Sequence, residues 1–415
     1  MKLFSSACLF VAFAASGCTA QGVSVLRHDV VRQTPYTAGP PSGHAYAGQP
    51  LPEGLQAPFP GQPISGLSGG FFEDELLVTV LDNGFGLREN SADFFPRIVW
   101  WKFDAPGSPP VVVRALYLTD PQGFMSRGAK STPSHAAMLS RLSGAEIDPE
   151  SIAPGLHGSY WIGDEFGPFL YHFSSRGELL EPPIEIPVPE LLADYSRDQR
   201  IFISPDHPRF RHLGADAHKA ANLPRSKGIE GLSRMPGADS LVLMMEGPLV
   251  DAKNQRLLPI ISFDLHRRDF RLRGLYPMAK PHSVEPIVAR HKIGDLLALS
   301  SDCYLVIEAD EGHGVLPDRI PGFKRIMRAL PSKGDNTLML QAEPILDLLN
   351  LPANRFNLND FPFVTIEGIA KWSGDTIVIF NDDNFPSSGG RGQAQLDRTE
   401  FLWMQLPASA ACPVQ

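Results

Sequence analysis

Lys227-Gly228-Ile229-Glu230-Gly231-Leu232, running on to Asp239-Ser240-Leu241-Val242-Leu243-Met244-Met245-Glu246, is the stretch on which the fold turns. A short apolar segment, a polar turn and a second apolar segment make the pattern of a β-hairpin. The same layout returns along the chain. Glu150-Ser151-Ile152 leads into Gly158-Ser159-Tyr160-Trp161-Ile162-Gly163-Asp164-Glu165, and Glu367-Gly368-Ile369 leads into Gly374 through Asp383. Ser65-Gly66-Leu67 leads into Glu75 through Asp82, with Ser65 standing where the other repeats have Glu. A fifth copy, Leu296 to Leu299 followed by Cys303 to Glu308, keeps the turn and second strand but lacks the leading Glu-Gly.

Further strand-like runs lie between these hairpins, at Arg97–Phe103, Phe169–Phe173 and Leu258–Asp264. A repeated sheet unit without long helices is the signature of radial repetition, which shelters strand edges by closing a ring. The expectation is an all-β fold, a single β-propeller of six blades over residues 64–415. Long loops carrying short helices are expected near Leu191–Asn222 and Arg319–Asn359. The Pro/Gly-rich residues 21–63 read as an extended arm.

Composition agrees. The 415 residues include 37 Gly and 39 Pro, are 43% hydrophobic and 20% charged, and carry a formal charge of −9. That excess of acid gives no basic field for phosphate backbones, so no nucleic-acid partner is expected. Residues 1–20 read as an export signal, with Lys2 before a short apolar core. Ala15-Ser16-Gly17-Cys18 fits a lipoprotein signal with Cys18 lipidated, while Cys18-Thr19-Ala20 fits ordinary cleavage. The protein is expected in the periplasm or tethered to the outer membrane, alternatively secreted, with lipid at Cys18 its one link to a membrane. Cys303 and Cys412 remain, either paired or as separate thiols.

In an antiparallel hairpin the start of the first strand and the end of the second share an edge. Glu150 therefore meets the rim bearing Asp164 and Glu165. Glu230 shares a rim with Glu246, and Glu367 with Asp382 and Asp383, while Asp82 and Glu308 complete the set. Acids gathered around one axial funnel repel one another unless cations or lysines neutralise them. Hard oxygen ligands without a His or Cys cluster point to Ca²⁺.

The Lys227–Leu232 and Asp148–Ile152 segments, Trp161-Ile162-Gly163-Asp164-Glu165-Phe166-Gly167-Pro168 and Leu305-Val306-Ile307-Glu308 resemble the phytase-like propeller family, esterase-like activity of phytase. The resemblance spans the chain beyond residue 64, with Ser151 replacing the usual Gly. It implies a propeller, export, and a hydrolase of phosphoesters or esters. On that reading Glu230, Glu150 and Lys227 carry the chemistry, with Arg97 and Lys371 as weaker phosphate clamps. The remaining acids hold metal.

Two competing readings are weighed beside this. Gly66-Leu67-Ser68-Gly69-Gly70 matches a serine nucleophile motif, but a strand follows it where a helix is needed. Ser68 is instead expected to correspond to Ser233 and Ala370. The other reading is a non-catalytic ligand- or partner-binding propeller with structural Ca²⁺. The expected partner is a small ester or phosphoester, and the chain is expected to work as a monomer. His172 is expected in the core, Trp161 and Trp372 as wedges between blades, and His218, His282 and His313 in loops.

Overall fold

The computed structural model describes residues 23–125, 140–280, 290–312, 322–332, 338–351, 365–386 and 395–412, with two-residue strands at 283–284 and 287–288. The leader with Cys18, His282, His313 and part of the second expected insertion lie outside the described residues.

Five four-stranded antiparallel sheets make five blades. The first comprises Leu67–Glu73, Leu76–Leu81, Arg97–Lys102 and Val111–Tyr117. Blade two comprises Pro149–Pro154, Tyr160–Asp164, Phe169–Phe173 and Ile184–Glu185. Blade three is Ile229–Arg234, Ser240–Met245, Leu257–Asp264 and Phe270–Pro277. Blade four is His291–Ser300, Cys303–Asp310, Lys324–Pro331 and Leu340–Asp347. The last blade takes Thr365–Ser373, Thr376–Asp382 and Glu400–Gln405 from the end of the chain, and its outermost strand, Ser24–Val30, from the beginning.

The blade count corrects the expected six. A sixth blade would have to come from the long stretch between Phe173 and Ile229. That stretch forms 3₁₀ turns at Glu190–Tyr195 and Pro208–Asp216, a single helical turn at Ala217–Ala220, and one two-residue strand. Five first strands pack side by side in a closed circuit, with Thr365–Ser373 returning to Leu67–Glu73. Residues 24–30, read from sequence as part of the arm, join the two chain ends in one sheet and close the ring.

The second strand of every blade is apolar on both sides, because each face meets a neighbouring blade. Leu241, Leu243 and Met245 pack with Trp161 and Leu170 of blade two. Their alternates Val242 and Met244 pack with Tyr304 and Val306 of blade four. Trp161 is 1% exposed and acts as such a wedge, and the half-buried Trp372 packs against Phe72 and Trp403. His172 is less enclosed than a core residue, stacking on Trp161 and hydrogen-bonding Glu181 and Ser159. Away from the funnel, Cys303 and Cys412 form a disulfide that pins the C-terminal tail to blade four. No helix among the described residues is long and apolar enough to cross a membrane.

Candidate functional site

The site begins with a defect repeated in the first strand of each blade. The pairing register slips by one residue at the same place in all five: Ser68/Gly70, Pro149/Ser151, Ile229/Gly231, Ile293/Asp295 and Ile366/Gly368. The skipped residues are Gly69, Glu150, Glu230, Gly294 and Glu367. A bulge leaves its residue unpaired and re-aims the side chain. Carboxylate oxygens of Glu150, Glu230 and Glu367, from three different blades, accordingly lie within 4.8 Å of one another. The structural counterpart of these glutamates in the first blade is Gly69, not Ser65. Ser68 then corresponds to Ile229 rather than to Ser233 or Ala370.

These three glutamates line an axial cavity of about 360 Å³. Two more triads of mutually close oxygens overlap them, Asp148/Glu150/Glu165 and Glu165/Glu230/Glu246. Asp82 and Asp382 line the same space, as do Asp310, Glu311, Asn83 and Thr365. Among the described residues, ten carboxyl groups thus face two lysines, Lys227 and Lys292. Lys227 Nζ donates to Glu246 Oε2 at 2.7 Å. Lys292 Nζ lies 3.0 Å from Glu246 Oε1 and 3.4 Å from Glu367 Oε1.

Electrostatics follow from this crowding. Burial, and then the charges of Glu246 and Glu367, push the Glu230 carboxyl well above the ordinary range. Glu150 is raised likewise by burial and by Asp148 and Glu230. Burial also raises Glu165, Asp82 and Asp382, and brings Asp148 to about 6 against the hydrogen bond from Asn83. Burial raises Glu367 as well, though Lys292 opposes it. Glu246 is the exception: burial opposes its charge, yet Lys292 and Lys227 together hold its carboxyl below the usual range. Glu230 is 3% exposed, and no hydrogen-bond donor among the described residues reaches its carboxylate.

Three expected ligands lie elsewhere. Asp164 accepts the backbone N–H groups of Asp148 and Gly167, locking the end of its own hairpin. Glu308 accepts from the Tyr276 hydroxyl at 2.7 Å and the Ala279 N–H at 2.8 Å, and lies 2.8 Å from His291 Nδ1. Asp383 bonds Thr399 and the N–H of Gly66. The register explains the first two. Asp164 pairs with Pro149 and Glu308 with Ile293, each immediately before its bulge, whereas Glu165, Glu246 and Asp382 come one residue later. One step along a strand moves a side chain to the other face.

Among the weaker basic candidates, Arg97 is buried against Pro63 and Phe95 carbonyls, and Lys371 lies at the far end of the ring beside Cys412. His218 is exposed and bonds the Ala215 carbonyl. Asp148 and Lys292 went unread in the sequence, although Asp148 stands two residues before Glu150. Lys292 stands two before Gly294-Asp295-Leu296, the degenerate copy of Glu-Gly-Leu.

The donor set fits a hard divalent cation. Its oxygens come from buried carboxylates, the triads share members, and Glu230 has both oxygens uncommitted among the described residues.

A stretch of 197 residues is 28% identical to an uncharacterized secreted protein of Arthroderma benhamiae, covering 46% of this chain and 34% of the relative. The chain therefore matches about a third of that relative's length. Similar solved structures include virginiamycin B lyase from Staphylococcus aureus, with TM-score 0.30 and 11% identity over 84% of this chain and 70% of that one. Another is an aldose sugar dehydrogenase from Streptomyces coelicolor, with TM-score 0.34 and 13% identity over 92% and 98%. Likenesses this distant say nothing of what the chain does. Residues 62–385 match the family described as phytase-like, esterase-like activity of phytase, and the chain belongs to that family.

Proposed function

We propose that this is an exported, cation-dependent hydrolase of phosphoesters or related esters, working at the acidic mouth of the propeller. The carrying observation is the convergence of Glu150, Glu230 and Glu367 from three blades to within 4.8 Å, with Glu230 buried and without a donor among the described residues. Leaving a buried carboxylate uncompensated is costly, which is the arrangement of a site built for a cation. Asp148, Glu150, Glu165, Glu230 and Glu367 would hold Ca²⁺, with Asp82 and Asp382 adjoining. When bound, the cation supplies neutralisation of substrate charge and acidification of water.

The chain's own groups do the rest. Lys227, with its side chain 22% exposed at the cavity, donates to a substrate oxygen. Glu230, whose oxygens meet no donor among the described residues, takes a proton from the attacking water at a carboxylate oxygen. Glu150, between two triads, holds the geometry. The cavity volume suits a small ester head rather than a polymer. The family's description gives the ester class. Export is supported by the disulfide, which belongs to oxidising compartments, and by the secreted relative. The test is a panel of phosphomonoester, phytate, aryl-ester and lactone substrates at millimolar Ca²⁺, with and without chelator. Turnover of at least one class that chelation abolishes is the expected result. Silence across the panel would leave a binding propeller.

A further inference from the structure

We propose that Lys292 is a resident cation of the funnel, its ammonium filling the fourth blade's share of the ring of acids and confining exchangeable divalent cations to the other side. The proposal rests on the calcium reading above and concerns where and how many ions that reading allows. Blades two, three and five each send a glutamate from the bulge into the cavity. Blade four cannot, because its bulge residue is Gly294. A Cβ there would lie 2.3 Å from the Ile366 carbonyl oxygen of the next blade. In the same strand, two residues earlier, blade four presents Lys292, whose counterparts are Asp148 in blade two and Thr365 in blade five.

The ammonium spans the gap this leaves. It touches Glu246 from blade three and Glu367 from blade five, the two blades flanking its own. Because Lys227 holds the second oxygen of Glu246, both of that carboxylate's oxygens are engaged. Glu246 is therefore already neutralised by lysine, although it lies within 4.8 Å of Glu165 and Glu230. Glu230 is the opposite case, buried and aimed into the cavity with neither oxygen hydrogen-bonded among the described residues. Lys292 thus stands in place of one ion, and the carboxylates of blade two with Glu230 and the other oxygen of Glu367 remain for exchangeable ones.

The experiment counts calcium bound per full-length chain by equilibrium dialysis, and follows thermal unfolding in chelator and in millimolar calcium. Lys292→Met and Lys292→Gln each remove the charge. Both are expected to bind one calcium more than wild type, to unfold earlier in chelator, and to regain the wild-type midpoint when calcium is added. Lys227→Met is expected to keep the wild-type count, since Lys292 still holds Glu246. Equal counts in wild type and the Lys292 variants would overturn this proposal alone. So would failure of both variants to fold even with calcium, because a divalent ion could then not replace the ammonium. A wild-type protein that binds no calcium would overturn the cation reading as well, and that is seen before any variant is compared.

Discussion

Glu230 and Glu308 sit at the funnel ends of neighbouring blades, 3% and 0% exposed, and differ in what surrounds their oxygens. Among the described residues, three groups meet the Glu308 carboxylate: Tyr276, Ala279 and His291. No donor among the described residues meets Glu230, while Glu246 and Glu367 add like charge to its burial. Hydrogen bonds to a buried carboxylate compensate its lost hydration. The first glutamate is therefore part of the scaffold and the second part of a site. What separates them is strand geometry. Glu308 lies in a regular ladder position, whereas Glu230 is the extra residue of a bulge.

The largest effect should come from Glu230→Gln, which keeps the shape and removes the charge. Under the hydrolase reading, kcat/KM is expected to fall about 10³-fold, the scale of losing a general base. The chelated protein should become more stable by on the order of 1 kcal/mol, since one like charge leaves a crowded cavity. Activity assays beside thermal unfolding in chelator read both. A variant that loses stability while keeping activity would place Glu230 with Glu308 and erase the distinction.

Glu308→Gln is expected to do the reverse. An amide has one oxygen and one NH₂ group, so at least one of the three surrounding groups loses its acceptor. The cost is about 2 kcal/mol, read by urea unfolding. Calcium titration of this variant should match wild type, because Glu308 does not line the cavity. A weakened calcium isotherm would show that the two glutamates belong to one site after all.

Much of this contrast was visible in the letters of the chain. Alternating apolar residues on both sides of each polar turn gave the hairpins, and a recurrent Glu followed by Gly or Ser and an apolar residue marked three blades out of five. The blade count was harder to read. A long insertion of 3₁₀ turns occupies as much chain as a sheet, and Ser24–Val30 pairs with Glu400–Gln405 across nearly the whole sequence. Bulges were harder still. A single skipped residue leaves no mark in composition, yet it decides that Glu165 faces the funnel and Asp164 its own turn. Ser65 was misaligned for the same reason, because the blade-one bulge is a glycine and offers no acid to anchor the comparison. Lys292 was missed because a blade that replaces glutamate with glycine looks like an incomplete repeat, whereas the chain there supplies the opposite charge.

A third buried titratable group sharpens the comparison at smaller scale. His207 is 3% exposed and packs on Phe169 and Phe210, outside the funnel. Its Nδ1 accepts the N–H of Arg209 at 3.0 Å, and Nε2 stands 3.8 Å from Glu185, beyond hydrogen-bond reach. Protonation would turn Nδ1 from acceptor to donor and place a charge in an apolar setting. Burial, and then the charge of Arg209, accordingly pull the imidazole down to about 4. A folded-state value below the ordinary 6.5 means that the unfolded chain binds the proton more readily. Stability is then present above about pH 6.5 and is lost as pH falls toward about 4, by about 3 kcal/mol in all. The raised funnel carboxyls have the opposite sign, their contribution declining as pH rises. Urea midpoints across pH 4–7 in saturating calcium, with His207→Phe alongside, separate the two. The variant should flatten the acid limb, and a limb left unchanged would assign that loss to other groups.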